Sequence, residues 1–199
     1  MSILTATGWR TNGDLIADVA KLGYLDGDVL DVTFGVGTFW KQWVPASLVA
    51  CDLNAAKSPI GYPVDFTNLP RDFQGQFDAV VIDPPYKLNG RPTSTSDERY
   101  GVEEYTPWRD RITLMREGMV ECYRALRPKG YLLVKVQDQV CSGKKRWLTD
   151  VASEQATKFM AMEKVDRFDM LTTPRPQPEG RRQLHSLQNY STLLVFQRA

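Results

Sequence analysis

Asp83-Pro84-Pro85-Tyr86 sets a carboxylate, two imino acids and an aromatic ring at the end of an apolar run, Phe77 to Ile82. Neither proline has an amide hydrogen to give to a ladder, so the strand that the run predicts must stop there. The stop leaves the Asp83 side chain and the nearby carbonyls held stiffly beside the Tyr86 ring. Such a cluster of acceptors against an aromatic face suits gripping an amino group on a flat ring. A strand followed by a proline turn, with Tyr86 as packing, is the plainer reading of the tetrapeptide alone. What precedes it favours the chemical one.

Three earlier runs also carry acids at or near their ends. Val29-Leu30-Asp31-Val32 leads into Thr33-Phe34-Gly35-Val36-Gly37-Thr38, followed by Phe39 to Trp43, which reads as helical. Strand, glycine loop and helix make the arrangement in which a backbone approaches a ligand closely, although one Gly-x-Gly is weak by itself. Ser47 to Asp52 predicts a second strand, about twenty residues on, and an acid at that place accepts hydrogen bonds from ribose hydroxyls in nucleotide-binding α/β units. Tyr62-Pro63-Val64-Asp65-Phe66 predicts a third. Four strands would then deliver Asp31, Asp52, Asp65 and Asp83 to one sheet edge, where open α/β sheets bind ligands. A single such acid could be a helix cap. Four caps in succession explain the pattern poorly.

The remaining chain supplies the supports. Asp14 to Leu22 has helical spacing, with Asn12 or Gly13 near its start and Gly23 as its stop. Trp108 to Leu126 reads as an amphipathic helix with Ile112, Met115, Met119, Val120 and Tyr123 on one face. Tyr131 to Val136 predicts a buried strand, and Lys144 to Trp147 leads into a helix ending near Met162. Lys164 to Leu171 and Ser191 to Phe196 predict two last strands with no helix between them, which can therefore pair antiparallel. Two polar stretches, 87–107 and 172–189, are long for plain connectors and are expected to rim the same edge.

Bulk composition bounds the function. A chain of 199 residues, 42% hydrophobic and 25% charged, suits one globular domain over 1–199 with a substantial core. A net charge of +1 gives no global case for nucleic-acid binding, so any such surface must be local. Cys51, Cys122 and Cys141 are widely spaced, as reduced, packed thiols of a cytoplasmic protein would be, and a lone histidine, His185, argues against a histidine metal site. No apolar stretch reaches the length of a membrane span.

With these motifs in hand, the sequence resembles the class I S-adenosylmethionine-dependent methyltransferases of the DPPY amino-methylating group. That group includes DNA adenine and cytosine amino-methyltransferases and some RNA guanine methyltransferases. Asp31 to Thr38 is similar to the family's DPFxGSGT loop, departing from it at Val32, Thr33 and Val36, and Asp83 to Tyr86 matches the catalytic motif throughout. Leu126 to Tyr131 resembles the turn before the family's fifth strand. The likeness covers most of residues 29–136.

The resemblance implies a doubly wound, Rossmann-like α/β fold: a mostly parallel seven-stranded sheet with an antiparallel last strand and no separate target-recognition domain. It implies S-adenosyl-L-methionine held along Asp31, Thr33, Phe34, Gly35, Gly37, Thr38, Asp52, Leu53, Asp65, Phe66 and Asp83, with Asp52 on the ribose and Asp65 on the adenine. Catalysis falls to Asp83, Pro84, Pro85 and Tyr86. Asp83 and the Pro84 carbonyl accept from the amine, and Tyr86 stacks on a base taken out of any duplex. No metal is needed. Nucleic acid is the implied partner, DNA ahead of RNA, since the motif opens on Asp where glutamine and ribosomal-protein methyltransferases usually carry Asn. Lys87, Arg91, Arg99, Lys144, Lys145, Arg146, Arg175, Arg181 and Arg182 would hold its phosphates; as solvated loop charges they would do nothing of the kind. Recognition then rests on the two long loops, on a homodimer or accessory subunit, or is slight. An RNA adenine or guanine enzyme and a catalytically silent cofactor-binding subunit are the alternatives.

Overall fold

A computed structural model describes residues 4–85, 88, 107–172 and 184–199. Four parallel strands form the centre: β1 (Asp28–Asp31), β2 (Ser47–Ala50), β3 (Phe77–Ile82) and β4 (Leu126–Val136). Further along the chain, a short hairpin pairs β5 (Gln139–Cys141) with β6 (Lys144–Arg146). The last two strands are β7 (Glu163–Leu171) and β8 (Tyr190–Gln197). The main sheet has six strands in the order β2-β1-β3-β4-β8-β7, with β8 antiparallel to both neighbours.

Alternation along each strand splits the core into two layers, because successive side chains leave a strand on opposite faces. Val29, Val81, Leu133, Leu193 and Val195 pack beneath α1 (Asn12–Ala20), against Leu15, Ile16 and Val19. Leu30, Val80, Ile82, Leu132 and Val134 pack under α2 (Trp108–Ala125) and α3 (Leu148–Glu154), against Met115, Met119 and Ala152. Both faces are covered, which is why these strands read as largely apolar runs. The Thr11 hydroxyl caps α1 by accepting from the Asp14 amide at 3.2 Å. Gly118 lets α2 settle on the loop after β2: a Cβ there would lie 2.3 Å from the Phe66 ring.

Two elements differ from expectation. Residues 62–66 form no strand, so the sheet has six strands among the described residues rather than seven. Pro63 has no donor, and the segment is tied to its neighbour by one bond, from the Val64 amide to the Asp52 carbonyl at 2.9 Å. Phe39–Lys41 closes a single 3-10 turn instead of a helix. The β5–β6 hairpin was not legible either; its turn uses Ser142 and Gly143 at positive φ, 52° and 71°.

Candidate active site

The carboxyl ends of β1, β3 and β4 lie side by side, and the parallel register brings one face of each to the same edge. Asp31 ends β1 opposite Val81, and Ile82 pairs with Val134, so Asp83 and Lys135 are the next residues of adjacent strands. The Lys135 ammonium lies 3.8 Å from an Asp83 carboxylate oxygen, with the two side chains only 3% and 10% exposed. The ammonium also sits 5.8 Å from the centre of the Phe39 ring.

The glycine loop is laced to this edge. The Phe34 amide donates to the Cys51 carbonyl at 3.0 Å, and the Gly35 amide to an Asp52 oxygen at 2.8 Å. Gly37 has φ +67°, and a Cβ there would meet the tip of the Phe34 ring at 2.8 Å, so glycine is required on both counts. The Thr33 hydroxyl accepts from the Asp83 amide at 2.8 Å and so joins the loop directly to the start of the proline motif. Thr38 accepts from the Asn12 side-chain amide at 3.0 Å, which ties the loop to α1.

Asp31 is buried, with one donor on each oxygen. Its oxygens accept from the Thr33 amide at 2.9 Å and from the Trp40 indole at 2.7 Å. Burial pushes its carboxyl from the ordinary 3.8 up to about 7, against those two hydrogen bonds, and the Asp83 and Asp52 charges add to the rise. A carboxyl that holds its proton more tightly in the folded than in the unfolded state adds bound protons to the folded side between pH 3.8 and about 7. Stability from this group is therefore fully present below the lower value and is lost as pH rises through the upper one. Urea unfolding of the parent and of Asp31→Asn at several pH values should show the parent losing stability relative to the variant across that window and not above it. A constant difference would refute the burial effect.

Asp52 and Asp65 sit farther along the edge. Asp52 accepts from the Gly35 and Asn54 amides, which occupies about half of a carboxylate's acceptor sites. Asp65 is exposed and bonded to Thr67. With Leu53, Tyr62, Pro63, Val64 and Leu69 it lines a hollow of about 500 Å3. Phe66 is turned away beneath α2. A second cavity, of about 400 Å3, opens on the α1 side, lined by Arg10, Thr11, Asn12, Thr38, Lys135 and Ser191 among others.

Three of the cations expected to meet substrate, Lys144, Lys145 and Arg146, follow one another on β6. Lys144 is exposed on the hairpin, Lys145 lies 4.5 Å over the Trp147 ring, and the Arg146 guanidinium stacks 3.8 Å over Trp108 at the head of α2. Tyr86, Lys87, Arg91, Arg99, Arg175, Arg181 and Arg182 lie outside the described residues, as do most of the two long loops. Pattern reading missed Lys135, Trp40 and Asn12. The first carried a signal: a lysine inside Leu132-Leu133-Val134-Lys135-Val136 breaks an apolar run that both faces bury.

No protein-family model matches the sequence, and no curated protein sequence matches it. Solved structures do match it. The N-methyltransferase NodS from Bradyrhizobium japonicum WM9 is similar over 93% of this chain and 93% of its own, with a TM-score of 0.56 and 13% identity. This is a methyltransferase fold. NodS in complex with S-adenosyl-L-homocysteine matches at a TM-score of 0.55 and 13% identity, over 93% of this chain and 84% of that one. TrmN from Thermus thermophilus matches at 0.57 and 14% identity, over 93% of this chain but 48% of its own. At these identities the likeness is one of fold. It agrees with the mostly parallel sheet and its antiparallel β8.

Proposed function

We propose that this protein transfers the methyl group of S-adenosyl-L-methionine to the exocyclic amine of a nucleobase, adenine or cytosine in DNA. The carrying observation is the setting of Asp83: a rigid acceptor at the end of β3, pinned through its amide to the glycine loop and followed by two prolines.

The residues present fit the cofactor. Asp52 keeps unused acceptor sites for ribose hydroxyls, and the hollow beside Asp65 and Leu53 is roomy enough for a flat ring. Asp31 serves differently: buried where Asp52 is not, it braces the loop through Thr33 and Trp40. When bound, S-adenosyl-L-methionine supplies an electrophilic methyl group on a sulfonium. The protein's own task is to prepare the nucleophile. An aromatic amine is weak because its lone pair is delocalised into the ring. Asp83 and the Pro84 carbonyl, by accepting its two hydrogens, favour a pyramidal nitrogen whose lone pair is available, and fixed geometry supplies much of the remainder. Tyr86 would stack on the base.

Incubation with methyl-labelled cofactor and separate pools of DNA, RNA and protein tests the reading, and digestion of the labelled pool to nucleosides names the base. Label on N6 of adenine or N4 of cytosine in DNA is the expected result. Label in RNA would move the substrate, label in protein alone would overturn the nucleobase, and no label in any pool would favour a silent cofactor-binding subunit. The hairpin cations give a second check. Joint replacement of Lys144 and Lys145 by alanine should weaken DNA binding with a shallower dependence on salt, while cofactor affinity is unchanged. Equal salt slopes would make them solvated charges. No described helix is long and apolar enough to cross a membrane.

A further inference from the structure

Lys135 has no part in the reading so far, yet it is among the most deeply buried charges of the described residues. Its ammonium is the end of a long side chain that could have reached solvent, as lysines near an edge usually do. Instead it is 3% exposed, on the α1 face of β4, in the register position beside Asp83. A lysine is rarely buried so fully unless paired.

The charges around the pair show what it does. From β1, the buried Asp31 faces the same corner, and it interacts unfavourably with both Asp83 and Asp52. From the cavity wall come Arg10 and Lys41, which line the same space as Lys135. On the far strands, Asp169 is engaged by Arg167 and Thr192, and after β4, Asp138 is engaged by Thr149. Two acids thus crowd one buried edge. Like charges at the ends of adjacent strands make each other's ionised form less favourable, and a cation beside one of them offsets this. Asp31 is sealed from solvent, and burial raises its carboxyl although the Thr33 amide and the Trp40 indole favour the charged form. In the strand order β1-β3-β4, Lys135 stands on the other side of Asp83 from Asp31, and it lines the cavity on the α1 side.

We propose that Lys135 is a positioning residue for Asp83, its ammonium, 3.8 Å away, holding the neighbouring carboxylate in the acceptor form at the end of β3. This rests on the reading of Asp83 as the amine acceptor, because a protonated carboxyl would offer a hydrogen where the amine needs an acceptor. Burial works against the arrangement by lowering the affinity of Lys135 for its own proton, and Asp83 offsets that in part. The pair therefore holds best where both are charged, and the device is bounded on the acid side by protonation of Asp83.

A carbon-13 carboxyl titration of Asp83, by NMR on the folded protein without substrate, reads the effect independently of any activity. In Lys135→Met the Asp83 titration should move upward by about one pH unit or more, since a cation within reach of a carboxylate lowers it by about that much. Lys135→Arg, which keeps the charge, should stay near the parent. If the parent methylates a base, the acid limb of kcat/KM should move with the NMR value, and the Met variant should recover toward parental rate at high pH. An Asp83 titration that is the same in parent and Met variant would overturn the proposal, as would a uniform loss of rate at every pH. If Lys135→Met does not fold, Lys135→Gln, which keeps a donor without the charge, takes its place and the same two results decide. Because the titration needs no turnover, it can succeed where the nucleobase reading fails, or fail where that reading holds.

Discussion

Asp83→Ala should slow methyl transfer by roughly a hundred- to a thousandfold, measured as single turnovers on cofactor-saturated protein. The figure follows from removing one preorganised charged acceptor that strengthens toward the transition state, which by analogy with an oxyanion-hole donor costs about 2.7–4 kcal/mol. Asp83→Asn keeps the shape and one acceptor oxygen, so some activity should survive. Both variants also take the carboxylate from beside the buried Lys135, and breaking a buried pair by removing one partner costs about 3–5 kcal/mol where the remaining charge cannot relax. The cavity that Lys135 lines gives it room to relax, so a loss of stability smaller than that is expected. Unfolding curves must therefore accompany the rates. A variant that is folded, saturated with cofactor and as fast as the parent would sink the mechanism. One that merely unfolds would make Asp83 a strand-end acid holding a turn together.

Asp52→Ala should weaken binding of S-adenosyl-L-methionine, or of its demethylated product, by roughly a hundredfold in a calorimetric titration. Two losses combine. The acceptors meant for the ribose disappear, and hydrogen bonds to a charged group are worth about 1.5–3 kcal/mol each. The Gly35 amide also loses the oxygen that holds it at 2.8 Å, so the loop is less well set for its ligand. Asp52→Asn separates the two effects, because its amide oxygen can still accept from Gly35. An affinity in Asp52→Ala equal to that of the parent would remove the ribose assignment, and with it the main physical support for the cofactor.

The central sheet was legible because its signals are local. Phe77 to Ile82, Val29 to Asp31 and Tyr131 to Val136 are apolar runs closed by Gly, Pro or Asp, and each forms a strand. The antiparallel pairing of β7 with β8 was expected because the sequence between them has no helical spacing to supply a parallel crossover. Asp31, Asp52 and Asp83 could be assigned to one edge because parallel strands with both faces buried carry their ends to a common side.

Where pairing competes with chain chemistry, the pattern misled. Residues 62–66 have the alternation of a strand, but Pro63 removes a donor and the Val64 amide alone reaches a neighbour. The tertiary structure also decided the electrostatics of the edge, and for a plain reason: a side chain's charge state depends on what lies across the sheet, which no run of adjacent residues contains. Asp31 reads as a cofactor acid, yet the Trp40 indole and the Thr33 amide claim both its oxygens. Lys135 reads as a break in an apolar strand. Only the register of β3 against β4, set by residues some fifty positions apart, brings its ammonium within 3.8 Å of Asp83. By itself, then, the sequence determined the strands, the glycine loop and the acids that end the central runs. Folding decided which of those acids is sealed and which cation stands beside Asp83.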